Sequence, residues 1–121
     1  MAESHSLGQQ GEEFAANHLK NKGYRILHRN WVSGKKELDI VAENNECVVF
    51  VEVKTRSYEM NLQPRDLVPW EKQKLMIFAA DAYIRRYNIN KESRFDVITV
   101  ISKGKEFEID HIENAFYPTL R

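Results

Sequence analysis

The sequence predicts an α/β fold in one domain over residues 1–121: a mixed central sheet flanked by helices. Three observations carry this. Apolar residues recur with helical spacing in two stretches and with strand spacing in five. Their order is α-β-β-β-α-β-β, with three early strands set between two helices, which suits helices packed on a mixed sheet. Finally, Cys47-Val-Val-Phe-Val-Glu-Val-Lys54 is almost continuously apolar, as expected of a central strand covered on both faces.

The elements follow in order. Leu7 to Lys22 reads as a helix, with Ser6 as N-cap and Gly23 as its stop. Gly8, Gly11, Glu12, Ala15, Ala16 and Leu19 share one arc of it, and such small residues predict close approach to another element. Tyr24 to Asn30, Glu37 to Glu43 and Cys47 to Thr55 read as strands, the last two joined by a hairpin turn at Asn44-Asn45. Arg56 to Pro69, with weak periodicity and two prolines, reads as a long loop. Trp70 to Tyr87 is the second helix. Its polar strip of Lys74, Asp81 and Arg85 is narrow, so it is either deeply buried or part of an oligomer interface. Arg94 to Ile101 and Lys105 to Ile112 form a last hairpin about Lys103-Gly104, the second of them an extra C-terminal strand.

Composition excludes several classes. Apolar residues are 42% and charged residues 30%, an ordinary globular mix rather than a disordered one. No apolar run is long enough for a membrane span, and the N-terminus lacks the pattern of a signal peptide, so the chain reads as cytoplasmic. One cysteine, Cys47, allows no internal disulfide. The 18 basic and 18 acidic residues balance, which counts against a dedicated non-specific nucleic-acid binder. The balance is uneven along the chain, however. Lys20 to Lys36 contains no acid, whereas Glu106, Glu108, Asp110 and Glu113 gather near the C-terminus.

The charges in the buried hairpin are the main functional signal. Side chains alternate along a strand. With a two-residue turn at Asn44-Asn45, Glu43 pairs with Glu46, Asp39 with Phe50 and Glu37 with Glu52. Glu37, Asp39, Glu52 and Lys54 then share one face, with Asp39 a diagonal step from Glu52. Acids and a lysine on a buried face either pair with one another or hold something. Hard carboxylate oxygens at Asp39 and Glu52, with the Val53 carbonyl, suit Mg²⁺ or Mn²⁺. Lys54 would orient water or neutralise a phosphate. Glu12, on the inward arc of the first helix, could complete the ion's outer shell, although a carboxylate in the first turns of a helix also has a simpler dipole-based account.

Taken together, these residues resemble a known family. Gly8-x-x-Gly11-Glu12, Gly23-Tyr24-x-Ile26-Leu27-x-Arg29-Asn30-Trp31, Glu37-Leu-Asp39-Ile-Val41, Phe50-Val-Glu52-Val-Lys54-Thr-Arg56, Lys72-Gln73, Arg94-Phe-Asp96-Val and His111-Ile-Glu-Asn114-Ala-Phe116 are similar to the bacterial YraN-like proteins. That family is assigned to the restriction-endonuclease-like superfold, and archaeal Holliday-junction resolvases are similar in arrangement. The resemblance implies an α-β-β-β-α-β core and a catalytic Asp…Glu-x-Lys pattern falling on Asp39, Glu52 and Lys54. It implies a helix acid at Glu12 and a supporting polar residue at Gln73. The implied activity is metal-dependent hydrolysis of phosphodiester bonds in DNA, with branched or single-stranded structures as candidate substrates and a homodimer as a candidate assembly. The alternative is a non-catalytic nucleic-acid-binding or protein-interaction module on the same fold.

Arg29, Lys35, Lys36, Arg56 and Lys72 are candidate phosphate contacts. Trp31 could stack on a base or pack on the core edge. The four histidines lack the i, i+4 pairing of a helical zinc site. There is no phosphate-cradling Gly-rich loop and no serine or cysteine nucleophile signature.

Overall fold

The computed structural model describes residues 6–58 and 68–117. The elements are α1 (Leu7–Asn21), β1 (Arg25–Ser33), β2 (Lys36–Glu43), β3 (Cys47–Ser57), α2 (Trp70–Tyr87), β4 (Glu92–Lys103) and β5 (Glu106–Phe116). The strands form one sheet in sequence order, antiparallel throughout except for β3 against β4, which are parallel. This is the expected mixed α-β-β-β-α-β core with an extra C-terminal strand. The strands are longer than sequence patterning predicts. In particular, β3 continues through Arg56 to Ser57, paired along β4 as far as Ser102. The rest of the expected long loop lies largely at 59–67, outside the described residues.

Each helix covers one face of the sheet. Ala15, Ala16 and Leu19 of α1 pack with Ile40, Ala42, Val49, Val51, Ile98 and Val100. Met76, Ile77, Ala79, Ala80 and Tyr83 of α2 pack with Leu38, Val41, Val48, Phe50, Phe95 and Val97. The alternation of buried residues along β3 and β4 between these layers is the sheet's period of two made visible. Along β2 that alternation breaks at Asp39: Leu38 belongs to the α2 layer, as Val41 does, while Ile40 belongs to the α1 layer.

Local chemistry fixes the start of α1. Ser6 and Gln9 form a capping box, the Gln9 N–H donating to Ser6 Oγ and the Ser6 N–H to Gln9 Oε1. Gly11 then meets β3 so closely that a Cβ there would lie 2.1 Å from Thr55 Oγ1. The small-residue arc therefore has a steric cause, and it brings Glu12 to the end of the sheet. On α2 only one face is buried. Trp70, Leu75 and Phe78 are exposed, Phe78 by 58%, so of the two expectations for this helix, deep burial or an oligomer interface, the first is corrected.

The β2–β3 turn also differs from expectation. The Asn44 N–H donates to the Cys47 carbonyl, and Asn44 Oδ1 accepts the N–H groups of Glu46 and Cys47. The turn residues are thus Asn45 and Glu46, and Glu43 pairs with Val48 rather than Glu46. The cause is Asn44 itself: its side chain takes up the backbone donors across the turn. Its carbonyl is then met by the Lys91 ammonium.

A second polar group is buried on the α1 face. Asp96, fully buried, accepts from Arg94 Nε and Nη2, from His111 Nε2 and from the Asn114 N–H. Burial opposes its charge, but the bonds from His111 and Arg94 outweigh that and hold its carboxyl below the usual range. The knot extends to α1 through a 3.1 Å bond between His111 Nδ1 and His18 Nε2, and to Tyr24 through Arg94. Trp31 packs at the core edge, edge-on to Tyr83, with its indole N–H donating to the Tyr87 hydroxyl. Among the described residues no helix is long and apolar enough to cross a membrane.

Candidate functional site

Where α1 and α2 both begin, the sheet end opens into a cleft of about 650 Å³. Glu12, Asp39, Glu52, Val53, Lys54, Arg56 and Lys72 line it, with Leu7, Gly8, Thr55 and Pro69. Residues drawn from α1, β2, β3 and α2 thus meet in one concavity.

The β2–β3 ladder explains how the two central acids meet. Pairing runs from Glu43 and Val48 outward to Ile40 and Val51. By count the next pair is Asp39 and Glu52, directly opposite rather than diagonal. There the strands part, and the Asp39 side chain bridges the gap: its Oδ2 accepts the Val53 N–H at 2.9 Å. The alternation breaks at this residue because its carboxylate stands in for a ladder rung. Burial pushes the Asp39 carboxyl up to about 7. The Val53 N–H opposes this, repulsion from Glu52 and Glu12 adds to it, and Lys72 partly relieves it.

Glu52 is buried on the central strand, 5% exposed, and Lys72 Nζ lies 2.6 Å from its Oε2. Lys72 enters from the first turn of α2. Burial works against its charge, but the contact with Glu52, aided by Asp39 and Glu37, holds the ammonium above its ordinary range. Glu12 is held from the edge strand. Its Oε1 accepts from Arg29 Nη2 at 3.1 Å and from Asn30 Nδ2 at 2.9 Å. Two successive strand residues reach one carboxylate here, and Asn30 has a left-handed φ of 54°, a conformation asparagine tolerates.

Lys54, two residues beyond Glu52 on β3, lines the cleft as strand parity predicts, and Arg56 does the same. Gln73 does not. Its amide donates to the Val68 carbonyl at 2.8 Å, and the neighbouring Lys72 faces the cleft instead. Arg29 is engaged elsewhere, its guanidinium bonded to Glu12 and Glu13. Lys35 and Lys36 sit at the β1–β2 turn and are not among the residues lining the cleft. Glu37 is exposed and pairs with Val32 on β1. Two contacts escaped sequence reasoning: Lys72 to Glu52, and Asn30 to Glu12. The first lies across the connection between β3 and α2. The second was signalled only by an asparagine within a strand.

Among the described residues no three of His, Cys, Asp and Glu converge as a ready-made metal cage. The donor set is instead two facing carboxylates, Asp39 and Glu52, with a third, Glu12, nearby. Such a set of hard oxygens fits Mg²⁺ or Mn²⁺, which bind through one or two protein carboxylates and leave other positions to water and phosphate. It does not suit zinc, which takes four tetrahedral ligands in structural sites.

Comparison with known proteins gives a consistent result. Residues 11–100 match the family described as "Uncharacterised protein family UPF0102". A UPF0102 protein of Phocaeicola vulgatus is 47% identical over 120 residues, covering 99% of both chains. One of Bacteroides thetaiotaomicron is 49% identical over 120 residues, again 99% of both. One of Parabacteroides distasonis is 45% identical over 121 residues, the full length of each. The matched span holds every residue of the charged cleft from Glu12 to Lys72, and the chain belongs to the UPF0102 family, the YraN-like proteins.

Proposed function

We propose that the cleft is the active site of a Mg²⁺- or Mn²⁺-dependent nuclease that hydrolyses phosphodiester bonds in DNA. The observation that carries this reading is that Asp39 and Glu52 line one cleft together with Lys54 and Lys72. Buried carboxylates that repel one another are stabilised by a divalent cation.

Asp39 and Glu52 would hold the ion, with the Val53 carbonyl as a further donor. When bound, the ion supplies charge neutralisation at the phosphate and activation of water near neutral pH. The chain's own groups account for the rest. The Val53 N–H fixes one Asp39 oxygen and so orients the carboxylate. Glu12 sets the cleft's negative wall, itself anchored by Arg29 and Asn30. Lys54 and Arg56 present cations from β3 to a phosphate in the cleft, where Lys54 would also orient water. Branched or single-stranded DNA fits an open cleft, and cutting both strands of a junction would call for a symmetric dimer. The exposed Leu75 and Phe78 on α2 offer an apolar surface for one.

The test is cleavage of duplex, flap and four-way DNAs with Mg²⁺ or Mn²⁺. The wild type is expected to cut at least one, with losses of about 10²-fold or more in Asp39→Ala and Lys54→Ala. No cleavage by the wild type, or cleavage undiminished in these variants, overturns the catalytic assignment.

The Lys72–Glu52 ion pair favours a second reading, a module that holds nucleic acid or a protein partner without cutting. Salt-sensitive DNA association without turnover would distinguish nucleic-acid binding of this kind.

A further inference from the structure

We propose that Lys72 is the resident counter-cation of the cleft, and that its transfer from Glu52 to a substrate phosphate gates metal loading. The inference rests on reading Asp39 and Glu52 as the metal site.

The geometry of the pair is asymmetric. The Glu52 side chain is 6% exposed and lies on the central strand, so it cannot follow a partner outward. The Lys72 side chain is 50% exposed and reaches in from the helix on a flexible four-carbon stem. Of the two, the lysine is the one able to leave. Its ammonium, 2.6 Å from Glu52 Oε2, already sits on the carboxylate that a metal at Glu52 would share. Two cations at that separation repel, so lysine and metal compete for one carboxylate oxygen.

The lysine's alternative partner is supplied by the same cleft. Lys72 and Pro69 line it at the start of α2, across from Lys54 and Arg56 on β3. A phosphate held between these walls would draw the ammonium off Glu52 and vacate the position for metal. Metal and phosphate then each favour binding of the other, and by linkage the coupling is reciprocal. Without substrate, the pair keeps the buried Glu52 neutralised. Lys54 shares β3 with Glu52, whereas Lys72 belongs to a different element and is the lysine seen against Glu52.

The experiment is a Mn²⁺ titration of the full chain, reading free ion by electron paramagnetic resonance. Wild type, Lys72→Met, Lys72→Arg and Glu52→Gln are compared, with Lys72→Gln as a second neutral variant and thermal melts to confirm folding. Lys72→Met and Lys72→Gln are expected to bind Mn²⁺ about tenfold more tightly than wild type, a modest gain because the lysine is half exposed. Lys72→Arg should match the wild type or bind more weakly, and Glu52→Gln should lose the site. Tighter binding in Lys72→Met should accompany slower DNA cleavage, since the phosphate contact is gone. Equal or weaker Mn²⁺ binding in both neutral variants overturns the gate and leaves the metal site standing. Absence of Mn²⁺ binding in every variant overturns both.

Discussion

At the residue scale, Asp39 carries conflicting demands. It must accept the Val53 N–H across a gap in the sheet, and it must do so buried beside Glu52 and Glu12. Its carboxyl is pushed up to about 7, so between about pH 4 and 7 the folded chain holds a proton that the unfolded chain has lost. The sign follows: as pH rises through that window the contribution of Asp39 to stability falls, and above 7 its full cost is present. Asp39→Asn keeps an acceptor for Val53 and removes the charge. In chelator-treated protein it is expected to be more stable than wild type by ~1–3 kcal/mol at pH 8 and nearly equal at pH 4. Denaturant unfolding at the two pH values checks this, and an equal effect at both would show that charge is not the cause. The nearness of Asp39 to Glu52 was legible in strand parity, as a diagonal step rather than as a pair. The partner of Glu52 was not, because Lys72 is brought to it by chain that carries no periodic pattern.

At the element scale, the position of α1 depends on one glycine. The arc of small residues in α1 was legible in its spacing, and the contact of Gly11 with Thr55 gives its physical reason. Gly11→Ala would force the helix off β3 or displace the Thr55 side chain. Despite alanine's better helix propensity, a loss of ~1–3 kcal/mol is expected from overpacking, read as a lowered thermal midpoint. Because Glu12 follows directly, the same substitution should weaken Mn²⁺ binding at the cleft; an unchanged or raised midpoint would show that the contact yields freely. The β2–β3 hairpin departs from its expected register. The turn sits one residue later than expected and the register shifts by two, so Val41 still shares a face with Val48 and Phe50, whereas the break at Asp39 takes Glu37 off the face it was expected to share with Glu52. At Asp39 a side chain replaces a rung. Parity could not reveal that, since the residue is defined by what its carboxylate accepts.

At the scale of the whole molecule, the neutral total hides a separation. The basic run from Lys20 to Lys36 ends α1 and builds the β1 edge, whereas Glu106, Glu108, Asp110 and Glu113 lie along β5 at the opposite edge. Three of the basic residues are already paired, Lys22 with Glu113 of β5, Arg25 with Glu43 and Arg29 with Glu12 and Glu13, so the separation is partly bridged and the net field at that edge is smaller than the sequence suggests. Element order and core were legible because burial imposes periodicity. Arg94 and Asp96 share a strand face by parity, but the links that carry the Asp96 knot to Tyr24 and His18 were not legible, because those residues come from the other end of the chain. That reach has a kinetic consequence. The His18–His111 bond spans 93 residues and the Arg94–Tyr24 bond 70. Contacts that close such long loops return their free energy only after the elements between them have docked. Tyr24→Phe, which removes the bond to Arg94 across 70 residues, is therefore expected to cost ~1.5–3 kcal/mol, almost all of it as faster unfolding, with a φ-value below about 0.3 in a chevron analysis. Slowed folding in that variant would place the knot in the nucleus. If these long-range bonds form last, their strength governs how long a folded molecule survives before it next opens, and how quickly a new one forms is decided elsewhere in the sheet.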